Sequence, residues 1–273
     1  MYPVKSRAKY LVGVVLERML PSVVEEIEAG NNAHRLAWVK KQIINLRVKR
    51  AANNKNFEQL QSSFKQYWQG KEGGRFYGGF PKRFDEWFMG DHHIFVEELK
   101  KILSDSNKFK ALIEIGCGDG QVLNYLSDTL PSIENFVGLD INDEVVAKNQ
   151  TAYASNTRLA FHSVDAAAWV PENIQAGTVL LTYGGVYEYF SETVLRRIFG
   201  KLAREHRPSL VVLTEPVSPN HDMEIDNISR PFGMESSLSH NYRYLLSDSG
   251  YQVVFSRELR GDICWNIIIA IAD

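Results

Sequence analysis

A short apolar strand, a glycine-rich turn and the start of a helix follow one another in residues 111–126, ALIEIGCGDGQVLNYL. Three glycines alternate with other residues in the turn, at Gly116, Gly118 and Gly120. Glycine adopts a positive φ and has no Cβ, so the backbone of such a turn can approach a ligand closely. The N–H groups at the start of the next helix point toward whatever binds there. The segment therefore predicts a strand–turn–helix unit that binds a nucleoside-type cofactor, with a ligand-free glycine turn as the alternative.

The spacing of the glycines and the residue before them select the kind of cofactor. A dinucleotide-binding turn has the pattern Gly-x-Gly-x-x-Gly, but here Gln121 stands at the position of the third glycine. Glu114, near the end of the strand, would repel a pyrophosphate and would suit a ligand with an ammonium or sulfonium charge. An acidic residue followed by Gly-x-Gly-x-Gly resembles the first motif of the class I S-adenosylmethionine-dependent methyltransferases. This resemblance implies S-adenosyl-L-methionine as the cofactor.

Two further carboxylates close apolar segments downstream of the turn. Asp140 ends the run FVGLD, where a carboxylate can accept hydrogen bonds from both hydroxyls of a ribose. The resemblance places Asp165, after the third strand, near the adenine amino group. For each of the two, an N-cap of the following helix is the alternative. The predicted cofactor-binding residues are Glu114, Gly116, Cys117, Gly118, Gly120, Asp140, Ile141, Asp165, Ala166 and Tyr183.

Strands and helices alternate in the rest of the chain. Helical segments separate five apolar runs, near 111–116, 134–140, 158–164, 177–183 and 209–214. This alternation predicts a parallel sheet covered by helices on both faces. The last two runs, 251–259 and 264–272, are joined by a turn too short for a parallel crossover, so they form an antiparallel pair. The predicted fold is α/β, a doubly wound, mostly parallel seven-stranded sheet with a C-terminal antiparallel hairpin, and it resembles the class I methyltransferase sheet.

An N-terminal helical extension precedes the sheet. We expect the extension to span residues 1–104 and the S-adenosylmethionine-binding methyltransferase domain to span 105–273. Apolar spacing predicts helices over 4–29 with a bend near Pro21, and over 34–52, 57–68 and 85–104. The segment 70–81, GKEGGRFYGGFP, contains five glycines and is predicted to be a loop.

Charge is unevenly distributed along the chain. The first 70 residues carry 12 Lys or Arg against 5 Asp or Glu, a net of +7, and the chain total of −2 leaves −9 for the remainder. Three interpretations remain open: a helical extension packed on its own domain or on a second subunit of a homo-oligomer, contact with an anionic membrane surface, or contact with nucleic acid. Two isolated cysteines imply no disulfide framework and favour a reducing, cytoplasmic location. No apolar run is long enough for a transmembrane helix.

The segment after the fourth strand, TYGGVYEYF at 182–190, is expected to face the methyl group. Nucleic-acid amino-methyltransferases that resemble this fold carry an Asn/Asp-Pro-Pro-aromatic motif at this place. The present chain has Tyr-Gly-Gly-Val and no proline. The missing motif argues against methylation of a base amino group.

A hydroxyl acceptor needs a base within hydrogen-bonding reach. His221, in the loop after the fifth strand, is the first candidate because histidine titrates near neutrality, and Glu188 and Glu215 are the others. Ordinary loop or core residues are the alternative for all three. Glu215, His221 and Asp222 match no metal-binding motif, so no metal is predicted.

The expected function is S-adenosylmethionine-dependent methyl transfer to a small-molecule acceptor, a hydroxyl of a sugar or of another secondary metabolite. One alternative is an RNA or protein methyltransferase whose basic N-terminal helices bind the substrate. The other is a methyltransferase-like subunit without activity that serves in assembly.

Overall fold

A twisted sheet of seven strands organises the chain. The computed structural model describes residues 4–28, 36–70, 82–104, 107–233, 235–261 and 263–273. The strands of the main sheet are β1 Ala111–Ile115, β2 Asn135–Asp140, β3 Leu159–Ser163, β4 Thr178–Tyr183, β5 Ser209–Val217, β8 Gln252–Leu259 and β9 Cys264–Ala272. Two short strands, β6 Arg230–Phe232 and β7 Ser237–Ser239, pair separately.

The strand order of the main sheet is β3-β2-β1-β4-β5-β9-β8. The first five strands are parallel, and β9 is antiparallel to both β5 and β8. The predicted fold class is therefore confirmed, including the C-terminal hairpin. The order reverses between β1 and β4, which is where ligands bind at the carboxyl ends of the strands of such sheets.

Helices flank the sheet and precede it. They are α1 Val4–Met19, α2 Pro21–Glu28, α3 Ala37–Asn53, α4 Phe57–Gln69, α5 Ile94–Ser104, α6 Gln121–Thr129, α7 Asp143–Ala152, α8 Ala166–Asn173, α9 Glu192–Glu205 and α10 Tyr242–Asp248. A π-helix, Arg83–His92, precedes α5, and a 3₁₀ turn, Tyr187–Tyr189, follows β4. The break expected at Pro21 is observed, since α1 ends at Met19 and α2 begins with the proline. The single helix expected over 85–104 is wrong in one respect: it is divided into the π-helix and α5.

Burial explains why these segments form strands. Every residue of β4 and β5 is buried, because helices cover both faces of the sheet at its centre. Helix α5 packs into this core through Phe95, Leu99 and Leu103. The helix therefore shares the core of the sheet. The boundary expected at residue 104, between the extension and the methyltransferase domain, stays a prediction.

The N-terminal helices have an apolar cluster of their own. Ile27, Ile43 and Leu60 are fully buried in it, and Leu238 joins it from β7. Most of the glycine-rich segment 70–81 lies outside the described residues, so the loop expected there stays a prediction. None of the helices in the described ranges is both long and apolar enough to cross a membrane.

Candidate functional site

The glycine turn after β1 has the conformation that its sequence requires. Gly116, Gly118 and Gly120 have φ values of 70°, 52° and 74°. The N–H of Gly116 donates to the carbonyl oxygen of Leu139 on β2 at 2.7 Å. A Cβ on Gly116 would lie 2.6 Å from Cγ2 of Val186, so a side chain does not fit there. The turn is therefore held against β2 with its backbone at the carboxyl edge of the sheet.

Asp140 joins the glycine turn to the end of β2. Its Oδ2 accepts from the N–H of Gly118 at 3.1 Å, and its Oδ1 accepts from the N–H of Asn142 at 2.9 Å. The alternative interpretation of Asp140 as an N-cap is wrong, because Asn142 is the cap and accepts from Val145 N–H at 3.2 Å. Asp140 is buried and lines a cavity at the switch point of the sheet.

Two adjoining cavities share Arg83, Gly116 and Tyr183 and together form what we call the strand-end cleft. One cavity extends past Asp140 to Asp165, and the other lies at the glycine turn. Nine of the ten predicted cofactor-binding residues line the cleft. They are Glu114, Gly116, Cys117, Gly118, Asp140, Ile141, Asp165, Ala166 and Tyr183. The tenth, Gly120, is the residue before α6 and is not part of the wall.

Glu114 contributes a buried carboxylate to the wall at the glycine turn. Its Oε2 accepts no hydrogen bond from any of the residues described. Burial raises the pKa of Glu114 well above its ordinary value; the nearby Asp119 adds to the increase and the Arg83 guanidinium opposes it. A buried carboxylate without a partner is costly. A cationic group of a ligand would satisfy it.

Arg83 lies between the two cavities and is not among the residues predicted from the sequence. Its Nη2 donates to the carbonyl oxygen of Gly184 at 3.0 Å, and its Cζ lies 5.4 Å from the centre of the Tyr183 ring. The π-helix places this arginine at the cleft. No local motif marks the position, and the helix predicted from residue 85 left Arg83 outside.

Asp165 is the N-cap of α8 and also lines the cleft. Its Oδ1 accepts from Ala167 N–H at 3.0 Å, which confirms the N-cap of α8. Its Oδ2 forms an ion pair with Nζ of Lys65 at 2.8 Å, and both side chains line the cleft. A contact with adenine stays a prediction.

Helix α4 closes the side of the cleft over the ends of β2 and β3. Gln61, Lys65 and Trp68 of this helix line the cavity. Gln61 Oε1 accepts from Ser191 N–H at 2.6 Å, and Asn142 Nδ2 donates to the carbonyl oxygen of Trp68 at 3.1 Å. The N-terminal extension, for which the sequence showed no motif, thus supplies part of the site.

His221 lies in a hydrogen-bonded turn and is not among the residues that line the cleft. Its Nδ1 is 2.9 Å from Ser239 Oγ, and its Nε2 is 3.1 Å from the carbonyl oxygen of Asp226. Burial, and then the charge of Arg230, lower the pKa of His221. Both ring nitrogens therefore hold neighbouring chain segments, and the role of His221 as a base stays a prediction.

Glu188 lies in the loop that follows β4, and Glu215 lies on β5 beneath this loop. Glu215 accepts from the N–H groups of Val186, at 3.0 Å, and Glu188, at 3.4 Å. Burial raises the pKa of Glu215 to about 7 and that of Glu188 to about 8. Neither is among the residues that line the cleft, and their catalytic roles also stay predictions. The contacts of Glu215 fix the course of this loop along the cleft.

Carboxylates, Arg83, Lys65, aromatic rings and backbone groups provide the ligand-binding chemistry of the cleft. Among the described residues, no group of three His, Cys, Asp or Glu side chains is placed to hold a metal ion. The buried hydroxyl of Tyr183 has no hydrogen-bond partner within the described part of the chain. Orphaned polar atoms at Glu114 and Tyr183, beside a glycine turn, fit a polar and cationic ligand.

Comparison with known proteins agrees with this geometry. Residues 112–209 match the family model described as "Methyltransferase domain". Magnesium protoporphyrin IX methyltransferase from Synechocystis PCC 6803, with bound SAH, aligns with a TM-score of 0.51 and 13% identity over 78% of this chain and 99% of that chain. N-methyltransferase NodS from Bradyrhizobium japonicum WM9 aligns with a TM-score of 0.51 and 12% identity over 70% and 99%. No curated protein sequence matches the chain. At such identities the structural likeness concerns the fold alone.

Proposed function

We propose that this chain is a class I S-adenosylmethionine-dependent methyltransferase that transfers a methyl group to a hydroxyl of a small-molecule acceptor; the match of residues 112–209 to a methyltransferase domain supports the reaction class. The observation that carries the proposal is the buried Oε2 of Glu114, to which none of the described residues donates a hydrogen bond, beside a glycine turn at the switch point of the sheet. The expected donor has an amino acid part with one positive and one negative group, a ribose and an adenine.

The charged residues of the cleft match the amino acid part of that donor. Glu114 binds the ammonium group, which donates a hydrogen bond to its buried Oε2. Arg83, which lines both cavities, binds the carboxylate of the donor. The two side chains thus form a clamp for a zwitterion, and the clamp fixes the donor at the turn.

The nucleoside part lies along the ends of β2 and β3. Asp140 accepts hydrogen bonds from the ribose hydroxyls while it continues to hold the glycine turn. Asp165, Ala166 and Lys65 surround the adenine, so helix α4 covers the base from the N-terminal side. The donor is therefore bound between the sheet and the extension.

When bound, S-adenosylmethionine supplies a methyl carbon on a sulfonium sulfur. The acceptor oxygen forms a bond to this carbon, and the sulfur keeps the electrons of the bond that breaks. The proton of the acceptor hydroxyl passes to a base or to water. The protein has to align the two reactants and exclude water. Helix α4 and the loop 184–190 contact each other and both line the cleft. Tyr183, with its buried and unpartnered hydroxyl, orients groups at the point where the two cavities meet.

The absence of a proline motif after β4 supports a hydroxyl acceptor over the amino group of a base. The chain there is Tyr183-Gly184-Gly185-Val186. Both glycines have positive φ, 82° and 85°, so the backbone turns sharply along the cleft. This turn differs from the Asn/Asp-Pro-Pro-aromatic arrangement of nucleic-acid amino-methyltransferases.

The test is an acceptor screen that follows the release of S-adenosylhomocysteine with sugars, phenols, amines and RNA as substrates. We expect turnover with one or more hydroxyl compounds, and mass spectrometry with fragmentation to locate the new methyl on oxygen. Turnover confined to amines or RNA would contradict O-methylation. That outcome would not count against the assignment of the cleft as the donor site.

A further inference from the structure

Helix α4 places a lysine beside the segment that follows β3. Gln61, Lys65 and Trp68 are spaced by four and three residues, so they lie on one face of the helix, and all three line the strand-end cleft. Oε1 of Gln61 accepts from Ser191 N–H at 2.6 Å. The carbonyl oxygen of Trp68 accepts from Asn142 Nδ2 at 3.1 Å. Lys65 thus lies between two points at which the helix is bound to segments that follow strands of the sheet.

Lys65 and Asp165 form a pair of one hydrogen-bond donor and one acceptor in the wall of the cleft. Nζ of Lys65 lies 2.8 Å from Oδ2 of Asp165, and both residues line the cleft. The other carboxylate oxygen, Oδ1, accepts from Ala167 N–H, which fixes the orientation of the carboxylate.

This ion pair is open to a ligand. The lysine side chain is 43% exposed and the aspartate side chain 30%, and an ion pair with such exposure contributes little to stability by itself. An ammonium group has more than one N–H, and a carboxylate accepts several hydrogen bonds. Lys65 and Asp165 can therefore bind a ligand while they remain paired with each other.

Adenine has the complementary pattern on one of its edges. Its N6 amino group donates and the neighbouring N7 accepts, and a side chain that combines one acceptor with one donor recognises this edge in nucleic acids. Here Asp165 supplies the acceptor and Lys65 the donor, 2.8 Å apart. A base with a carbonyl at position 6 would instead place an oxygen against the carboxylate.

We propose that Lys65 is a specificity-determining residue for the donor and that it donates a hydrogen bond to N7 of the adenine, beside Asp165, which accepts from N6. The inference rests on the proposed function, because it takes the cleft as the donor site. It goes further in assigning the recognition of one atom of the base to the N-terminal helices, which lie outside the matched residues 112–209.

The test compares S-adenosylhomocysteine with its 7-deaza analogue, in which a C–H group replaces N7. Both ligands are titrated calorimetrically into the wild type and into Lys65→Met, which keeps an unbranched side chain and removes the ammonium group. We expect the wild type to bind S-adenosylhomocysteine about tenfold more tightly than the analogue, as a hydrogen bond to a charged group predicts. In Lys65→Met the two ligands should bind equally, because position 7 of either base has lost its partner.

The matched control is Lys201→Met. Lys201 of α9 pairs with Glu172 of α8 at 3.3 Å, and neither residue is among those that line the cleft. This variant should keep the tenfold preference. A lysine that only oriented Asp165 would give a different result in Lys65→Met, since both ligands would bind more weakly and the ratio of their affinities would persist.

Two outcomes would overturn the inference: equal binding of the two ligands by the wild type, or a preference that survives in Lys65→Met. In both of them S-adenosylhomocysteine still binds, so the assignment of the donor site stands. Failure of S-adenosylhomocysteine to bind the wild type at millimolar concentration would count against the proposed function itself, and the inference would fall with it.

Discussion

The carboxylate of Glu114 is the side chain on which the account of the donor depends. It is the last residue but one of β1 and is buried, and one of its oxygens has no hydrogen-bond partner among the described residues. An unpaired buried charge destabilises a folded protein. A bound ligand that donates a hydrogen bond to this carboxylate would offset the cost, and such groups are common at functional sites.

Glu114→Gln tests this pairing, because glutamine preserves the size of the side chain and removes its charge. We expect affinity for S-adenosylhomocysteine to fall about 10- to 100-fold, the value of one charge-assisted hydrogen bond. The melting temperature without ligand should stay the same or rise, since the buried charge is gone. Calorimetry and thermal unfolding measure the two effects.

The matched control is Glu98→Gln, at a glutamate of α5 that pairs with Lys101. It should leave the affinity for S-adenosylhomocysteine unchanged. Wild-type affinity in Glu114→Gln would show that the ammonium group of the donor is bound elsewhere.

His221 illustrates a different kind of residue, one whose ring holds chain segments together. Its hydrogen bonds reach Ser239 and Asp226. We expect His221→Ala to lower the free energy of unfolding by about 1–3 kcal/mol, because Ser239 loses a buried partner. Urea unfolding measures this loss, and the pH profile of kcat measured alongside should keep its shape. Unchanged stability with the loss of one limb of the pH profile would instead identify His221 as the base.

At this scale the sequence predicts residues that obey a strict local rule and misses those that do not. Gly116, Gly118 and Asp140 were predictable because backbone geometry at a strand-to-helix turn admits few alternatives. Arg83 was not, since its place in the cleft follows from the π-helix and from packing against Tyr183. The position of His221 depends equally on a turn that no local pattern specifies.

Among the elements, the loop between β4 and α9 packs on the buried side chain of Glu215. Glu215 on β5 accepts from two backbone N–H groups of this loop. Burial raises its pKa to about 7, compared with an ordinary value of 4.5. An acid with a raised pKa in the folded state is most stabilising while protonated. Its contribution is therefore complete below about pH 4.5 and is lost as the pH rises through about 7.

Glu215→Gln should remove this contribution to the pH dependence of stability. We expect the melting temperature of the wild type to fall more steeply between pH 5 and pH 7.5 than that of the variant. A series of thermal unfolding curves across that range makes the comparison. Parallel curves for the two proteins would mean that Glu215 has the same pKa in the folded and unfolded states.

The strands were the elements that the sequence located best. Each observed strand of the main sheet begins within one residue of its predicted start, while β5 continues to Val217 instead of ending at residue 214. Buried parallel strands appear as uninterrupted apolar runs, which makes them easy to recognise. The π-helix was not foreseen, because an i→i+5 turn leaves no simple periodic signature.

For the molecule as a whole, the main result is that the N-terminal helices form part of the site. Helix α4 lines the cleft, and its Lys65 pairs with Asp165 across 100 positions of sequence. Other basic residues of this region pair within it, as Lys40 does with Glu26 at 2.6 Å. Three interpretations of the basic extension were open. These contacts favour the interpretation in which the helices pack on their own domain.

This arrangement predicts that the donor site and α4 are coupled. We expect saturation with S-adenosylhomocysteine to slow amide hydrogen exchange in residues 57–69 and in the loop 182–190, because ligand contacts oppose local opening. Exchange in β8, the edge strand beyond β5 and β9, none of whose residues line the cleft, serves as the internal control. Protection of the loop without protection of α4 would place the ligand on the sheet side only.

The sequence could not predict this coupling. Secondary structure follows from local patterns, whereas the docking of α4 depends on contacts between segments far apart in the chain, such as Gln61 with Ser191. The amphipathic spacing of α4 indicated a buried face but not the surface that covers it. The uneven charge likewise suggested an external anionic partner as one option. Composition alone does not show that basic residues of the extension form ion pairs within the protein, as Lys65 does with Asp165.

We expect the strand-end cleft to bind S-adenosylmethionine and not a nicotinamide dinucleotide. The decisive measurement is calorimetric titration of the wild-type protein with S-adenosylhomocysteine, and separately with NAD. S-adenosylhomocysteine should saturate one site, and NAD should give no heat of binding. Saturation by NAD together with no response to S-adenosylhomocysteine would contradict it.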